Sequence, residues 1–144
     1  MTKHSPRRPV IKDIEKNVRI AAPIERVWAA LTDPASIEGW MGEDSAVEVD
    51  LKVGGRYRLF GGETTGKFTR IERPHRLEYT WRQATWRKGW PDSIVRWGLQ
   101  TDRDGTRVSL VHTQFPNSEE RDSHDEGWDA YWLEPMQAWL ESAD

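Results

Sequence analysis

A segment near the carboxyl end constrains the fold of this chain more than any other stretch. Trp128, Trp132, Met136 and Trp139 recur at steps of three and four residues, which is helical spacing and gathers apolar bulk on one face. Because the preceding chain is typical of strands, such a helix must cover a sheet or expose several large aromatic side chains. Pro135 removes one backbone hydrogen bond inside this helix, so the sequence predicts a kink there. The apolar face of this helix then either packs entirely into the hydrophobic core or covers a cavity at one end.

The chain before this helix is predicted to form one strand, two short helices and a run of antiparallel strands. Alternation predicts the first strand at 13–20, and helical spacing predicts helices that begin at Pro23 and Pro34. Further alternating stretches between Gly, Pro and Asp-Gly turns predict strands at 46–51, 56–60, 67–72, 76–82, 93–101 and 106–115. The last helix is expected to begin near Ser118, a plausible cap. We therefore predict an α+β fold in which a curved antiparallel sheet of about six or seven strands wraps on a long C-terminal helix.

Length and composition limit the classes of protein that remain. A chain of 144 residues with 36% hydrophobic and 31% charged residues is long enough for one core. We expect a flexible basic leader at 1–12 and a single domain at 13–144. Zero Cys excludes disulfides and thiolate chemistry. No apolar run follows the basic residues of the leader, so neither a signal peptide nor membrane insertion is expected, and the cytoplasm is the expected location.

The net charge of −3 conceals an uneven distribution. The leader is basic, whereas residues 117–144 carry Arg121 as their single Lys or Arg. Nine carboxylates lie in the same segment: Glu119, Glu120, Asp122, Asp125, Glu126, Asp129, Glu134, Glu141 and Asp144. An acidic helix surface repels nucleic acid and anionic lipid, so neither is expected as a partner.

Two motifs that imitate functional sites are set aside. Residues 61–68 read GGETTGKF, one position away from a phosphate-binding loop, but Phe68 stands where a magnesium-binding hydroxyl is needed and the flanks are strands. We expect a hairpin turn there. The four His are far apart and lack ligand spacing, so no metal or cofactor is expected. His124, followed by two carboxylates, is expected on a solvated helix surface.

His112 is the residue with the clearest potential for chemistry. Alternation places it on the inward face beside Val108 and Leu110. A histidine hydrogen-bonded within the core is one interpretation. The other is a residue that offers a hydrogen bond or a proton to a ligand, and in a cyclase- or hydrolase-like enzyme either His112 or Tyr79 would do the acid-base work. No Ser-His-Asp or paired-carboxylate arrangement is evident, so no catalytic residue is assigned.

Five stretches together resemble a known family. They are PIERVWAALTDPASIEGWM, VDLKVGGRYRLFGG, GKFTRIERPHRLEYTW, SIVRWGLQTDRDGTRVSLVHTQF and GWDAYWLEPMQAWLE. From about Asp13 onward the chain is similar to the START-like (SRPBCC) helix-grip superfamily and, within it, to the domain related to the activator of the heat-shock protein 90 ATPase. This resemblance implies a hydrophobic cavity between the long helix and the sheet, which different members use for small apolar molecules. It also implies a chaperone as a second candidate partner, in a stress-related role.

These observations predict a domain that binds a small apolar or aromatic molecule. Aromatic faces would supply contact area, and His112 and the Tyr hydroxyls would orient the polar end of the ligand. The expected lining is Trp40, Tyr57, Leu59, Tyr79, Trp81, Trp97, His112, Trp128, Trp132 and Met136. Two alternatives stay open: an enzyme that uses the same cavity, and an interaction domain whose surface at Trp86 and Arg87 contacts a chaperone. A cavity filled by side chains is the remaining outcome.

Overall fold

The structure, a computed structural model, describes residues 11–142. The expected leader falls mostly outside the described residues, so the boundary between leader and domain stays a prediction. The strands are β1 (Ile14–Ile20), β2 (Glu48–Val49), β3 (Arg56–Leu59), β4 (Thr64–Glu72), β5 (Arg76–Gln83), β6 (Ser93–Asp102) and β7 (Gly105–Thr113). The helices are α1 (Ile24–Thr32), α2 (Pro34–Met41), α3 (Ser118–Gly127) and α4 (Glu134–Ser142), and a π-helical segment, Trp128–Leu133, joins the last two.

The seven strands form one antiparallel sheet in the order β1-β7-β6-β5-β4-β3-β2. Alternation along β5 buries Leu77, Tyr79 and Trp81, because successive strand residues point to opposite faces. The same rule buries Trp97 on β6 and His112 on β7. The C-terminal helical stretch covers this inner face, and α4 also contacts α1, α2 and β1. The predicted helix-grip architecture is confirmed.

Local signals in the sequence account for the helix starts. The carboxylate of Asp33 accepts a hydrogen bond from the backbone N–H of Ser36 at 3.1 Å and caps α2, whose first residue is Pro34. Asn117 caps α3, since its side-chain oxygen accepts from the N–H of Glu120 at 2.8 Å. The cap predicted at Ser118 was therefore wrong by one residue.

The strands deviate from prediction where the backbone turns. The strand expected at 46–51 shortens to the two residues of β2, because Ala46 takes a left-handed conformation with φ of 46° and the chain turns again after Asp50. The segment that imitates a phosphate-binding loop runs into a strand and not into a helix, as predicted, but β4 already begins at Thr64, so the strand starts earlier than the expected 67 and the turn is shorter. Within β4, Gly66 lies so close to Tyr57 and Thr80 that a Cβ atom would be 1.9 Å from the Thr80 carbonyl oxygen.

The long C-terminal helix is interrupted just before Pro135. The sequence predicts a kink at Pro135, and the structure shows a π-helical segment that ends at Leu133, with the N–H of Glu134 donating to the carbonyl of Asp129. A proline lacks the N–H for its own helical bond, and a widened turn relieves the clash of its ring with the preceding turn. Beyond this segment Trp139 is half-buried, and its indole lies against Gly39 of α2.

Candidate functional site

A pocket of about 540 Å³ opens between the C-terminal helical stretch and one end of the sheet. Its walls come from α2, the turn before β4, the end of β5, α3 and the π-helical segment. The lining residues are Trp40, Met41, Phe60, Glu63, Thr64, Trp81, Gln83, Ser123, His124, Gly127, Trp128, Tyr131, Trp132 and Pro135. The volume lies within the range of pockets that hold small organic molecules, about 300–1,000 Å³.

The inner wall of the pocket is built around Trp132. Its ring centroid lies 4.8 Å from that of Trp128, 5.3 Å from that of Trp40 and 5.8 Å from that of Trp81. These separations fall in the range of favourable aromatic pairs. Trp128 and Trp132 belong to the π-helical segment, so the widened turn presents both indoles to the space beside it.

Four of the ten side chains predicted as ligand contacts line this pocket: Trp40, Trp81, Trp128 and Trp132. The other six lie buried outside the pocket lining: Tyr57, Leu59, Tyr79, Trp97, His112 and Met136. The indole of Trp97 stacks on Trp132 at 6.1 Å and fills the middle of the inner face. The space between helix and sheet is therefore largely occupied by aromatic side chains, and the pocket lies at one end of it.

The predicted polar groups of the inner face are engaged within the protein. The hydroxyl of Tyr57 donates to the carbonyl of Thr80 at 2.6 Å, and the hydroxyl of Tyr79 accepts from the indole N–H of Trp97 at 2.9 Å. Burial raises the pKa of both phenols above the ordinary value, so both stay protonated.

His112 is fully buried and uses both ring nitrogens. Its Nδ1 accepts from the indole N–H of Trp128 at 3.0 Å, and because an indole can only donate, the proton of the neutral ring is on Nε2. Nε2 donates to the hydroxyl of Ser93 at 2.7 Å, and that hydroxyl donates to the carbonyl of Trp81 at 3.2 Å. Burial, together with the nearby His124, lowers the pKa of His112 to about 2. The core interpretation of His112 is confirmed.

The solvated surface expected for His124 was wrong, because this residue lies in the pocket lining. Its Nε2 accepts from the indole N–H of Trp81 at 3.0 Å, and its Nδ1 donates to the carbonyl of Glu120 at 2.7 Å. Burial lowers its pKa, which keeps the ring neutral at pH 7. Helical spacing could have predicted this position, because His124 precedes Trp128 by four residues and therefore lies on the same face of the helix.

The mouth of the pocket has two exposed aromatic side chains on opposite walls. Tyr131 of the π-helical segment is 72% exposed, and Phe60, at the turn before β4, is 39% exposed. Phe60 has φ of 54°, a left-handed conformation that a bulky residue rarely adopts. Two polar residues, Glu63 and Gln83, complete this part of the lining. Glu63 is exposed. Gln83 is half-buried, and its amide oxygen accepts a hydrogen bond from the hydroxyl of Thr64 at 2.7 Å.

The loop between β5 and β6 is closed onto the protein. Trp86 is buried, and its indole N–H donates to the carboxylate of Glu120 at 2.7 Å. Arg82 holds the loop by donating to the carbonyls of Trp90 and Arg87, each at 2.6 Å. The view of Trp86 as a surface residue for a partner was therefore wrong, whereas Arg87 is exposed.

Two further kinds of feature are absent from residues 11–142. That part of the chain brings no three His, Asp or Glu side chains together in a way that could hold a metal ion. None of its helices combines the length and apolar character needed to cross a bilayer.

Comparison with known proteins gives consistent matches. The profile of the family described as Activator of Hsp90 ATPase homolog 1-like protein matches residues 21–141. An uncharacterized protein of Schizosaccharomyces pombe (strain 972) is 31% identical over 108 residues, which cover 75% of this chain and 31% of that protein. The chain thus spans about a third of the length of this curated relative.

Solved structures share the fold over most of the chain. A crystal structure of an HSP90 activator from Plasmodium falciparum matches with a TM-score of 0.81 and 27% identity, covering 89% of this chain and 95% of that one. The crystal structure of CalU16 from Micromonospora echinospora matches with a TM-score of 0.75 and 30% identity, covering 89% of this chain and 75% of that one.

Proposed function

This chain belongs to the Activator of Hsp90 ATPase homolog 1-like family, and from that premise we propose that it binds a small apolar or aromatic molecule in the pocket beside the π-helical segment. The observation that carries this proposal is a pocket of about 540 Å³ whose lining includes six aromatic side chains. A pocket with such walls gains free energy when a ligand removes them from water.

The size of the pocket sets the scale of the expected affinity. A two-ring aromatic ligand that buries about 200 Å² of apolar surface gains about 5 kcal/mol at about 25 cal/mol per Å². Part of this is offset by the loss of translational and rotational freedom. We therefore expect dissociation constants from about 0.1 mM to a few mM for small probes, with tighter binding for a ligand that fills the pocket.

The polar end of the ligand is assigned to groups at the pocket and not to His112 or the Tyr hydroxyls. The amide nitrogen of Gln83 and the indole N–H of Trp132 donate to no other group in residues 11–142. Both belong to the lining and suit an acceptor such as a hydroxyl or carbonyl oxygen.

The six predicted residues behind the lining hold the inner wall in place in this proposal. Trp97 supports Trp132 by stacking, and His112 fixes the indole of Trp128 by a hydrogen bond. Tyr57, Leu59, Tyr79 and Met136 fill the remaining volume of the same core. A rigid wall favours binding, because little side-chain freedom is lost when a ligand enters.

Intrinsic Trp fluorescence tests this function. The protein is titrated with lipids, flavonoids and two-ring aromatics, including the neutral probe 2-naphthylmethanol. Trp132→Ala should weaken saturable quenching at least fivefold, because it removes the centre of the inner wall. The matched control is Trp139→Ala, on the same helical stretch but outside the lining, which should leave the affinity within twofold. Equal losses in both variants, or no saturable quenching by any compound, would refute the proposal.

A second candidate is a chaperone-associated interaction domain. It is favoured by the family description and by the match to an HSP90 activator with a TM-score of 0.81. In this second proposal the protein is located in the cytoplasm. In this case, adding the protein should raise the ATPase rate of an Hsp90 chaperone, and Arg87→Glu should reduce the effect because Arg87 is an exposed residue of the loop between β5 and β6. An unchanged ATPase rate at saturating protein would count against it.

A further inference from the structure

The formal charge in the lining of the pocket is negative. Glu63 is exposed at its rim, and no Lys or Arg belongs to the lining. His124 stays neutral, because burial lowers its pKa. The helix α3, which forms one wall, carries five carboxylates against Arg121 as its single Lys or Arg. An anion that enters this pocket finds no Lys or Arg among the lining residues to pair with.

The backbone of Glu63 is fixed where β4 begins and β5 ends. Its N–H donates to the carbonyl of Phe60 at 3.3 Å, and its carbonyl accepts from the N–H of Ala84 at 2.8 Å. Within residues 11–142 its carboxylate takes part in no ion pair, whereas the nearby Arg58 pairs with Glu48 at 3.4 Å. The negative charge of Glu63 is therefore free to contact a ligand at the mouth.

Aromatic side chains form the other walls of the pocket that Glu63 lines. Trp40 and Trp132 form the inner wall, and Tyr131 and Phe60 stand at the mouth. The face of an aromatic ring attracts a cation by its quadrupole, and a substituted ammonium group is large and weakly hydrated enough to use that attraction. Aromatic walls with one carboxylate at the rim are the composition that favours such a group over a neutral or anionic one.

We propose that the pocket selects hydrophobic cations: ligands in which a protonated or quaternary amine is attached to an aromatic or aliphatic body. The ammonium group lies at Glu63 and the mouth aromatics, and the body lies among the indoles of the inner wall. This assignment rests on the pocket being the binding site proposed above, and it specifies the class of molecule that the site takes.

Three probes of nearly equal size and different charge test the assignment. They are 2-naphthylmethylamine, which is protonated at pH 7, the neutral 2-naphthylmethanol and the anion 2-naphthoate. Binding is followed by the indole N–H signals in heteronuclear NMR spectra at constant ionic strength. The amine should bind about fourfold more tightly than the alcohol, which corresponds to two unit charges about 5 Å apart in water. The naphthoate should bind more weakly than either.

Two variants then remove the negative charge of Glu63 and the aromatic ring of Tyr131 separately. Glu63→Gln should weaken binding of the amine about fourfold and leave the alcohol unchanged. Glu126→Gln is the matched control, because this residue is exposed on α3 and outside the lining. It should change the amine affinity less than twofold. Tyr131→Leu keeps an apolar side chain at the mouth without a ring, and should weaken binding of the amine about two- to fivefold.

The outcomes separate this assignment from the proposed function. If the alcohol binds and the amine binds no more tightly, or if Glu63→Gln leaves the amine affinity unchanged, the cation assignment is overturned and the pocket remains a binding site. If none of the three probes shifts the indole signals of Trp40, Trp81, Trp128 or Trp132, the assignment and the proposed function are both overturned.

Discussion

Lowering the pH from 7 to 5 should destabilise this protein through His112. The folded state holds this ring neutral, because it is fully buried, its Nδ1 accepts from Trp128 and its Nε2 donates to Ser93. A second proton on Nδ1 would break the bond from the indole. The rings of Phe115, His124 and Trp128 pack around it, and within residues 11–142 no carboxylate contributes to its pKa, so none stabilises a positive charge there.

The magnitude follows from the difference between the folded and unfolded pKa values. The pKa of His112 is about 2 in the folded protein and 6.5 as the ordinary value of the unfolded chain. Between these values the unfolded state binds a proton that the folded state does not, so the free energy of unfolding falls by about 1.4 kcal/mol for each pH unit. At pH 5, about 1.5 units below the unfolded pKa, His112 alone costs about 2 kcal/mol.

His124 adds a contribution of the same sign, because burial lowers its pKa as well. Asp125 and Glu141 also have lowered pKa values, and their stabilisation is lost as the pH falls further through the range where carboxylates titrate. The window between pH 7 and 5 therefore isolates the histidines.

Denaturant unfolding at several pH values, followed by Trp fluorescence, measures this slope. His112→Gln cannot titrate, so its free energy of unfolding should depend less steeply on pH by about one proton, whatever its absolute stability. Ring ¹⁵N chemical shifts give the direct check, and His112 should remain a neutral Nε2–H tautomer at pH 5. Titration of His112 near pH 6.5 in the folded protein would refute the hydrogen-bond chain from Trp128 through His112 to Ser93.

Two further predictions concern packing and charge. Gly66→Ala should destabilise the protein by more than about 3 kcal/mol in denaturant unfolding, because its Cβ would lie 1.9 Å from the carbonyl oxygen of Thr80. Gly89→Ala, with open space around its Cβ, is the control and should change stability by less than about 0.5 kcal/mol. Lys16→Met removes ion pairs of 2.5 Å and 3.0 Å to Asp125 and Asp129, and should cost up to about 1 kcal/mol in unfolding at low salt and less at 1 M NaCl. A loss that salt does not reduce would contradict an electrostatic origin.

The sequence predicted all seven strands of the sheet, although β2 and β4 have different bounds from those expected. Strand residues alternate strictly between two faces, so the burial of Tyr79, Trp81, Trp97 and His112 followed from the pattern alone. The turns also carried their own signals, such as the Asp-Gly pair at Gly105, where a hairpin joins β6 to β7. The order of strands and turns therefore follows from local patterns in the sequence, namely alternation within strands and the residue types at turns.

The position of the pocket could not be predicted in the same way. Periodicity identifies which face of an element is covered, but not where neighbouring side chains leave a gap. The π-helical segment adds to the difficulty, because one extra residue in a turn rotates everything beyond it. Leu133 and Leu140 are consequently buried, while Trp139, placed on the stripe by regular spacing, is half-buried against Gly39. Pro135 was the one visible sign of this irregularity.

Filling the pocket and measuring binding shows most directly whether the ligand site lies there. Gly127 lies in the lining with helical φ of −63° and ψ of −38°, and a Cβ there would meet only a ring carbon of Tyr131 at 3.8 Å. Gly127→Leu should therefore fold, gain up to about 1 kcal/mol in stability from helix propensity, and occupy the pocket. The matched control, Gly127→Ala, gains stability in the same way but leaves most of the volume open.

The measurement is the NMR titration of all three proteins with 2-naphthylmethanol. We expect saturable indole shifts in the wild type and in Gly127→Ala, and an affinity at least tenfold lower in Gly127→Leu. Unchanged affinity in the folded Gly127→Leu protein would place the ligand elsewhere and contradict binding in this pocket.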